Sequence, residues 1–489
     1  MRETILVFDV GTSSVKATIF GVDGRLIASS SQAYHTSYPR PGWAQQDPND
    51  FWHASVEAAK TLLATPDLDT TAIGAIGLAG HMNGALLVDG DGNPTYDCLI
   101  HADSRSTVQC DAIVEIWGQE SIYQRTGNRM DEHLSLPKAA WIKKEEPSAF
   151  GRSAWLLNAK DYLRFKLTGT LGLTDYSDAS LTGAFNQQRR SWDTEIVESA
   201  HIPVSMLPAV QSSVESGGVL SRAAAQVLGL KAGIPVSTGG GDAACATRGA
   251  LVEERSQGYL CLGSSAWIST LSPSMVTDPL MRLQHFLDLE GELYNLCATV
   301  QSAASAVAWA REMLFSGQDP TVGTCSDGVL FVPYLMGERT PHWDALARGL
   351  FFGLSLSTTR QAMLRAVYEG VSFALCQSLQ VYEALSIPLE TLTLLGGATK
   401  DEVWQQLLSD VFARDLLLHP YPGEATGFGA ALAAAVCIKA YPSLSHAIEA
   451  MQAPWQQVMH DRMRSGRYHT SYALYRDLYP AVRHLYTTQ

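Results

Sequence analysis

Two short apolar runs rich in β-branched residues open the chain, TILVFDV and VKATIF, with the polar turn GTSS between them. A second turn, VDGR, precedes the run LIASS, so the pattern predicts a three-stranded meander. The segment DPNDFWHASVEAAKTLLA then places apolar residues at helical spacing after an Asp/Asn start signal, namely Phe51, Val56, Ala59, Leu62 and Leu63. The run AIGAIGLAG predicts a short buried strand, and the order of elements is therefore β-β-β-α-β.

The same alternation returns in the second half of the chain. QGYLCLGSSAWISTLS predicts a strand, a Gly-Ser-Ser turn and another strand, and STTRQAMLRAVYEGVSFALCQSLQVYEAL predicts a long helix with Thr358 and Gln361 as a capping box. The strand LTLLGG and the helix DEVWQQLLSDVFARDL follow. One apolar face of that helix is predicted to contain Val403, Leu407, Leu408, Val411 and Phe412. We therefore expect two α/β halves that meet near residues 248–257 and bind ligands in the cleft between them.

Composition narrows the range of partners. The 489 residues include 49 acidic and 35 basic side chains, a net charge of -14, which disfavours a nucleic acid partner. Eight cysteines lie without any C-x-x-C pair, so they are expected to be reduced and mostly buried thiols. The chain passes at once into ILVFDV without a secretion signal, and its most apolar run, FGAALAAAVCI, is shorter than the roughly 20 residues that span a bilayer. We expect a cytoplasmic protein with no membrane partner.

Two glycine turns, DVGTSS and LGSSAW, are suited to binding phosphate, because glycine lets several backbone N–H groups come close to one phosphate group. The chain contains neither a Walker loop nor G-x-G-x-x-G before a helix. Asp9 ends the first predicted strand beside the first turn, where a carboxylate suits Mg²⁺ next to bound phosphates, and Lys16 follows the turn. The segment is equally compatible with a plain hairpin turn that carries a surface aspartate.

A run of three glycines leads into Asp242 in the stretch IPVSTGGGDAACATRGA. A carboxylate at a glycine-rich strand end lets a substrate hydroxyl come within hydrogen-bond reach, as a general base requires. The alternative role for this residue is a helix N-cap. Two later corners, LLGGATKDEVW and GEATGFGAALAAA, offer open surface for a base and its ribose, and close helix packing is the alternative there.

Taken in order, FDVGTSSVKATIF, GLAGHMNG, GGGDAACA, LCLGSSAW, PYLMGERTPHWD, GLFFGLSLSTTRQAMLRAVYEGVSFAL and LLGGATKDEVWQQLLSDV resemble the FGGY family of carbohydrate kinases. The resemblance implies two ribonuclease-H-like (actin-like ATPase) α/β domains around a central cleft, residues 1–247 for sugar and phosphate and residues 248–489 for the nucleotide. It implies Asp242 as the catalytic base and Asp9 as the residue that places Mg²⁺. The cofactor-binding residues implied for ATP are Gly11, Thr12, Ser13 and Lys16, then Gly263, Ser264 and Ser265, and finally Gly396, Gly397 and Ala398.

The residues that face the sugar depart from the family pattern. Family members that act on D-xylulose typically have Gln-Met-His-Gly where this chain has His81, Met82, Asn83 and Gly84, and Trp-Asn-Asp where it has His101-Ala102-Asp103. The implied sugar-binding residues are His81, Met82, Asn83, Asp103 and Asp242.

The expected activity is ATP- and Mg²⁺-dependent phosphorylation of a small sugar, foremost a pentulose such as D-xylulose. L-xylulose, ribulose, gluconate, an alditol or a signalling sugar are the alternative acceptors, because a site built for one hydroxyl pattern rejects another strongly. A non-catalytic sugar sensor on the same fold is the alternative from a different class. A homodimer is expected on base rates alone.

Overall fold

The structure is a computed structural model that describes residues 4–318, 320–451 and 455–488. Two seven-stranded sheets organise the described part of the chain. The first sheet contains β1 (Thr4–Val10), β2 (Ser14–Gly21), β3 (Leu26–Ala33), β4 (Ile73–Gly80), β5 (Ser216–Val219), β6 (Pro235–Ser237) and β7 (Gly240–Gly241). The second contains β8 (Gln257–Leu262), β9 (Ala266–Ser272), β10 (Gln284–Leu287), β11 (Tyr294–Val300), β12 (Thr391–Leu395), β13 (Leu416–Leu418) and β14 (Gln456–Val458).

The two sheets have the same topology at their centres. In the first, β1, β2 and β3 form an antiparallel meander, and β4 pairs in parallel with β1 on its other side. In the second, β8, β9 and β11 form the meander, and β12 pairs in parallel with β8. The predicted β-β-β-α-β opening is confirmed, and the predicted second strand-turn-strand is confirmed in β8 and β9.

Helices cover both sheets. They are α1 (Pro48–Leu63), α2 (Thr107–Trp117), α3 (Gln119–Thr126), α4 (Ser135–Glu145), α5 (Pro147–Phe150), α6 (Ala159–Thr168), α7 (Tyr176–Ser180), α8 (Thr194–Ser199), α9 (Arg222–Leu228), α10 (Asp242–Gly249), α11 (Ala304–Phe315), α12 (Arg360–Ala384), α13 (Glu402–Phe412), α14 (Ala425–Cys437), α15 (Leu444–Ala450) and α16 (Arg462–Val482). Short 3₁₀ turns lie at Thr70–Ala72, Val204–Met206, Gly397–Lys400 and Arg483–Thr488. Short paired strands outside the two sheets are Gln45–Gln46, Leu86–Val88, Cys98–Leu99, Trp155–Leu157, Leu173–Asp175, Phe185–Asn186, Ser191–Trp192, Ala209–Gln211, Leu330–Val332 and Leu350–Phe352.

Two local predictions in the second half were wrong in detail. The cap of α12 is Thr359, whose side chain accepts from the Ala362 N–H, and not the predicted Thr358. In α13 the predicted apolar residue Val403 is 46% exposed, while its neighbour Trp404 is buried. The cap shifts because the chain enters α12 one residue later than the pattern indicates, so Thr359 and not Thr358 faces the free N–H groups.

Helix α14 joins the two parts of the molecule. It lies in the carboxyl-terminal part of the sequence, yet it packs on β1 and β4 of the first sheet and crosses α10. Its buried alanines share one apolar cluster with Ile5, Val7 and Phe20. The proposed division between residues 247 and 248 would fall inside α10 and stays a prediction; residues 1–3, 319, 452–454 and 489 of the two proposed domains lie outside the described residues.

No helix in the described ranges is long and apolar enough to span a membrane. All eight cysteines are free thiols; Cys98, Cys110, Cys245 and Cys297 are buried, and Cys325 is exposed.

The crossing of α10 and α14 depends on glycine at two positions. A Cβ atom on Gly249 would lie 1.9 Å from the carbonyl oxygen of Ala425, and one on Gly429 would lie 1.9 Å from the carbonyl oxygen of Cys245. Both partners are backbone atoms of helices that are buried on several sides, so neither can move aside easily. The two helices approach this closely because neither carries a side chain at the contact.

Substitution of Gly429 by Ala should therefore destabilise the protein by about 1–3 kcal/mol, the usual range for overpacking a closed contact. Gly427→Ala in the same helix is the matched control, because its Cβ would lie 3.7 Å from Phe20 and Val7, an ordinary contact. The control should be neutral or slightly stabilising, since Ala favours helix over Gly. Urea unfolding of the two variants measures the difference, and equal stabilities would contradict the proposed close crossing.

Candidate active site

The two carboxylates singled out by the sequence lie at the same edge of the first sheet. Asp9 is in register with Ala79 of β4, and Gly240 pairs with the same residue from the other side of β4. Asp242 follows directly after β7. Since neighbouring strands lie about 4.8 Å apart, the backbones of β1 and β7 are about 10 Å apart at this edge. The parallel pairing through β4 therefore brings Asp9 and Asp242 together although they are distant in sequence.

Asp9 has an unsatisfied acceptor. Its Oδ1 atom is buried and has no hydrogen-bond partner among the described residues. Burial raises the pKa of this carboxyl group to about 6, and the positive charge of Lys16 partly opposes the effect. A buried carboxylate oxygen without a donor is suited to a cation, which would supply the missing partner.

Asp242 is the first residue of α10, and the helix N-cap is Gly241. Its Oδ1 atom accepts from the N–H of Ala243 at 2.7 Å. Burial, together with the nearby negative charge of Asp9, raises the pKa of Asp242 to about 7. A carboxylate with a pKa near neutrality can accept a proton from a hydroxyl group in the course of a reaction and release it afterwards.

The glycines before Asp242 allow the chain to reach this position. Gly239 has φ 77°, and a Cβ on it would lie 2.6 Å from the carbonyl oxygen of Leu78 in β4. A side chain there would be strained by both its backbone conformation and its neighbour. The glycine run is therefore explained by the tight approach of β7 to β4.

The first glycine turn, residues 11–13, connects β1 and β2. The N–H of Gly11 donates to the Ser14 carbonyl at 3.0 Å. Lys16 donates to the carbonyl of Gly423 and lies 3.5 Å from the Glu424 carboxylate, and its predicted role of offsetting phosphate charge stays a prediction. Lys16 thus links this hairpin to the segment that begins α14.

The second glycine turn, residues 263–265, connects β8 and β9 in the same way. Gly263 donates its N–H to the Ser265 carbonyl at 3.0 Å, and Ser264 is exposed. The predicted adenosine corner follows β12, the parallel neighbour of β8. Gly396 has φ 94°, and a Cβ on it would lie 2.5 Å from the carbonyl oxygen of Leu262, whereas the space around Gly397 is open and Ala398 is half-buried. The turn and the corner therefore lie side by side at one edge of the second sheet.

The segment after β4 contributes unpaired polar groups. Both ring nitrogens of His81 and the Oδ1 atom of Asn83 are buried without a hydrogen-bond partner among the described residues. Burial lowers the pKa of His81 to about 4, so its imidazole is neutral. Met82 packs beside the glycine run, because a Cβ on Gly241 would lie 2.5 Å from its sulfur. A polyhydroxyl ligand would supply donors and acceptors to His81 and Asn83.

Asp103, unlike His81 and Asn83, has protein partners for its polar atoms. Its carboxylate is buried, accepts from the Ala44 N–H at 2.6 Å and forms an ion pair with Arg105 at 2.7 Å. The Arg105 guanidinium lies 3.8 Å from the ring centroid of Trp43. These contacts occupy the acceptors that the sequence assigned to a sugar, and that assignment stays a prediction.

Lys138 was missed by the sequence reasoning. It is fully buried, and its Nζ atom donates to the carbonyls of Asn83 at 2.9 Å, Ile100 at 2.7 Å and His133 at 2.6 Å. Burial lowers its pKa to about 7. No local signal marks this lysine, because it lies in the first turn of an ordinary helix. Its role in joining the segments beside His81 is visible only in the fold.

Glu338 is a buried carboxyl group in the second half of the chain. Glu338 accepts at Oε1 from the N–H groups of Gln301 and Arg339, both at 2.8 Å, so the structural hydrogen bonds of this segment are present. Its Oε2 atom has no partner among the described residues, and burial raises its pKa to about 8.

Comparison with known proteins identifies the family. The model of the FGGY family of carbohydrate kinases matches with its N-terminal domain over residues 4–249 and with its C-terminal domain over residues 259–438. The xylulose kinase of Escherichia coli is 30% identical over 479 residues, which cover 96% of this chain and 97% of that protein. The xylulose kinase of Staphylococcus epidermidis is 29% identical over 495 residues, 99% of this chain and 98% of that protein.

A crystal structure from Brucella ovis, described as a xyloylose kinase, has 27% identity and a TM-score of 0.88 and covers 99% of this chain and 100% of its own. These similarities confirm the predicted pair of actin-like α/β domains. The chain therefore belongs to the FGGY family of carbohydrate kinases and is an ATP-dependent enzyme that phosphorylates a sugar.

Proposed function

We propose that the protein transfers the γ-phosphoryl group of ATP to a pentulose, converting D-xylulose to D-xylulose 5-phosphate in the presence of Mg²⁺. The observation that carries the proposal is the shared sheet edge at which Asp9 and Asp242 lie beside the unpaired groups of His81 and Asn83. The names of the similar proteins from Escherichia coli and Staphylococcus epidermidis support the choice of sugar.

Asp242 is the base in this proposal. The sugar hydroxyl gives its proton to the Asp242 carboxylate, its oxygen forms a bond to the γ-phosphorus, and the bond from that phosphorus to the bridging oxygen breaks as ADP leaves. Phosphoryl transfer depends mainly on positioning and charge stabilisation, so the proton is accepted late and a pKa near 7 is adequate.

Asp9 is the residue that would hold Mg²⁺. Its buried, unpaired Oδ1 atom fits a hard cation that prefers oxygen ligands and keeps several waters. When bound, the ion supplies positive charge against the phosphates. A phosphate would have to compete with the Glu424 carboxylate for the ammonium group of Lys16, because the two groups lie 3.5 Å apart.

The nucleotide is proposed to lie across both sheet edges. The turns at residues 11–13 and 263–265 offer N–H groups to the phosphates, and the open corner at Gly396, Gly397 and Ala398 receives the adenosine. The close approach of Gly396 to Leu262, which precedes the second turn, supports one continuous site on the second sheet.

Sugar recognition is proposed for His81, Met82 and Asn83. A neutral imidazole offers one donor and one acceptor, and the Asn83 amide adds an acceptor where D-xylulose kinases have a histidine. That exchange favours a second candidate, in which the same chemistry acts on L-xylulose, ribulose, gluconate, an alditol or a signalling sugar. Cytoplasmic location and a homodimer stay predictions, and sedimentation of the purified protein would test the latter.

A panel of these sugars, assayed by coupled ADP release, tests the substrate. We expect D-xylulose to have the highest kcat/KM. Asn83 has φ 65°, a conformation that histidine tolerates better than most residues, so Asn83→His is the informative variant. It should change the ratio of kcat/KM between D-xylulose and the next sugar by about tenfold or more, because the hydrogen bonds to one hydroxyl change.

The KM for ATP should not move in Asn83→His, since the change lies on the sugar side. Asn93 is exposed and is held by Asp89 in a surface turn. The control Asn93→His should therefore leave kcat/KM for every sugar unchanged. A higher kcat/KM for L-xylulose or ribulose would contradict the assignment of D-xylulose, and a higher kcat/KM for gluconate or an alditol would contradict the assignment of a pentulose. Binding of a sugar with no phosphorylation of any would favour the non-catalytic sensor.

A further inference from the structure

We infer that Tyr34 and Gln46 are positioning residues for the phosphates of ATP. They hold the carbonyl groups of the first glycine turn, residues 11–13, toward the protein and so turn its N–H groups toward the cleft. The inference rests on the proposed function, in which this turn binds phosphate.

Three consecutive carbonyls of the turn accept hydrogen bonds from this pair of residues. The Tyr34 hydroxyl donates to the carbonyl of Gly11, the Gln46 Nε2 atom donates to the carbonyl of Thr12 at 2.6 Å, and the Tyr34 N–H donates to the carbonyl of Ser13 at 3.1 Å. No acceptor within the described ranges pairs with the N–H groups of Thr12 and Ser13.

Because the peptide unit is planar, these hydrogen bonds to the carbonyls also fix the direction of the N–H groups. The C=O of one residue and the N–H of the next belong to one planar trans unit and point in opposite directions. Fixing the Gly11 carbonyl inward therefore directs the Thr12 N–H outward, and fixing the Thr12 carbonyl does the same for the Ser13 N–H. A free turn could instead present carbonyl oxygens, which repel phosphate.

The carbonyls of the second glycine turn also accept hydrogen bonds from the protein, but from different donors. Ser264 accepts at its carbonyl from the N–H groups of Ala303 at 2.9 Å and Ser305 at 3.1 Å, and Gly263 accepts from Ala304 at 3.0 Å. Both turns thus have their carbonyls occupied by the protein. In the first turn two of the donors are side-chain atoms, so substitution can remove them without changing the backbone.

Both side chains are themselves fixed by packing. The Tyr34 ring meets the ring of Phe51 in α1 edge to face, with centroids 5.4 Å apart. Gln46 is 1% exposed, and its Nε2 atom also donates to the Thr36 hydroxyl at 2.7 Å. The residues that hold the turn are therefore anchored against the core of the first sheet.

Binding of a non-hydrolysable ATP analogue and of adenosine, measured by calorimetry on Tyr34→Phe and Gln46→Met, tests the inference. Adenosine lacks phosphates, so its affinity should stay that of the wild type. The affinity for the ATP analogue should fall about fivefold for each substitution, as expected for one lost hydrogen bond. As this affinity falls, the KM for ATP should rise, while the KM for the sugar should stay constant.

Two exposed residues provide matched controls. Tyr38→Phe and Gln32→Met make the same chemical changes at exposed surface positions, Tyr38 being 69% exposed, and should leave all affinities unchanged. Equal weakening of adenosine and the ATP analogue would show a general structural role and overturn the inference. Unchanged affinity for the ATP analogue in both variants would overturn it as well. If the wild type itself binds the ATP analogue no more tightly than adenosine, the turn does not hold phosphate and the proposed function fails first.

Discussion

Replacement of Asp242 by Asn is expected to lower kcat for sugar phosphorylation by about 10²–10⁴, the range that a positioned general base contributes. Asparagine keeps the shape of the side chain but cannot accept a proton. Because Asp242 begins α10 at the edge of the first sheet, away from the adenosine corner on the second, the KM for ATP should change little. Coupled ADP release at saturating sugar measures the loss.

Glu120→Gln is a suitable control, since it removes one negative charge from the first turn of another helix on the exposed surface. It should leave kcat unchanged. Full turnover by Asp242→Asn would remove Asp242 from the role of base.

The pH profile of the wild type is a second measure of the same assignment. Burial, together with the negative charge of Asp9, raises the pKa of Asp242 to about 7. The base acts only when deprotonated, so kcat/KM for the sugar should fall about tenfold for each pH unit below 7 and level off above it. A profile that stays flat to pH 5 would contradict a titrating base in this position.

Replacement of Asp9 by Ala is expected to raise the Mg²⁺ concentration for half-maximal activity by about tenfold or more, since loss of even a supporting group weakens a metal site by that factor. The reason is the buried Oδ1 atom, which has no hydrogen-bond partner in the described part of the chain and would bind the ion. Activity at low Mg²⁺ should be lost first and recover in part at high Mg²⁺. Titration of initial rates with Mg²⁺ at fixed ATP gives the shift.

Asp23→Ala removes an aspartate from the next turn of the same meander, where the side chain is exposed and accepts only from the Arg25 N–H within the described residues. This control should titrate like the wild type. An Asp9→Ala variant with the wild-type Mg²⁺ dependence would count against a metal role for Asp9, while leaving the role of Asp242 open to its own test.

Some contacts beside the candidate site cannot be predicted from local sequence patterns. Lys138 donates to three carbonyls from separate segments, and Asp103 is occupied by Ala44 and Arg105. No local pattern marks Lys138, whereas Asp103 was expected to bind the sugar. The Ala44 N–H that binds Asp103 and the Asn83 and Ile100 carbonyls that bind Lys138 are distant in sequence from these side chains, so only the folded arrangement pairs them.

The sequence by itself determined the strand-turn-strand openings, the glycine turns and the acids that end strands, because alternation of apolar residues and the freedom of glycine act over a few neighbouring residues. It also predicted the family, through motifs such as GGGDAACA. The tertiary structure alone decided that Asp9 and Asp242 share one edge through β4, that Lys16 pairs with Glu424, and that α14 packs on the first sheet. These features depend on parallel pairing and burial between distant segments, and a periodic pattern fixes which face of an element is apolar but not which element will cover it.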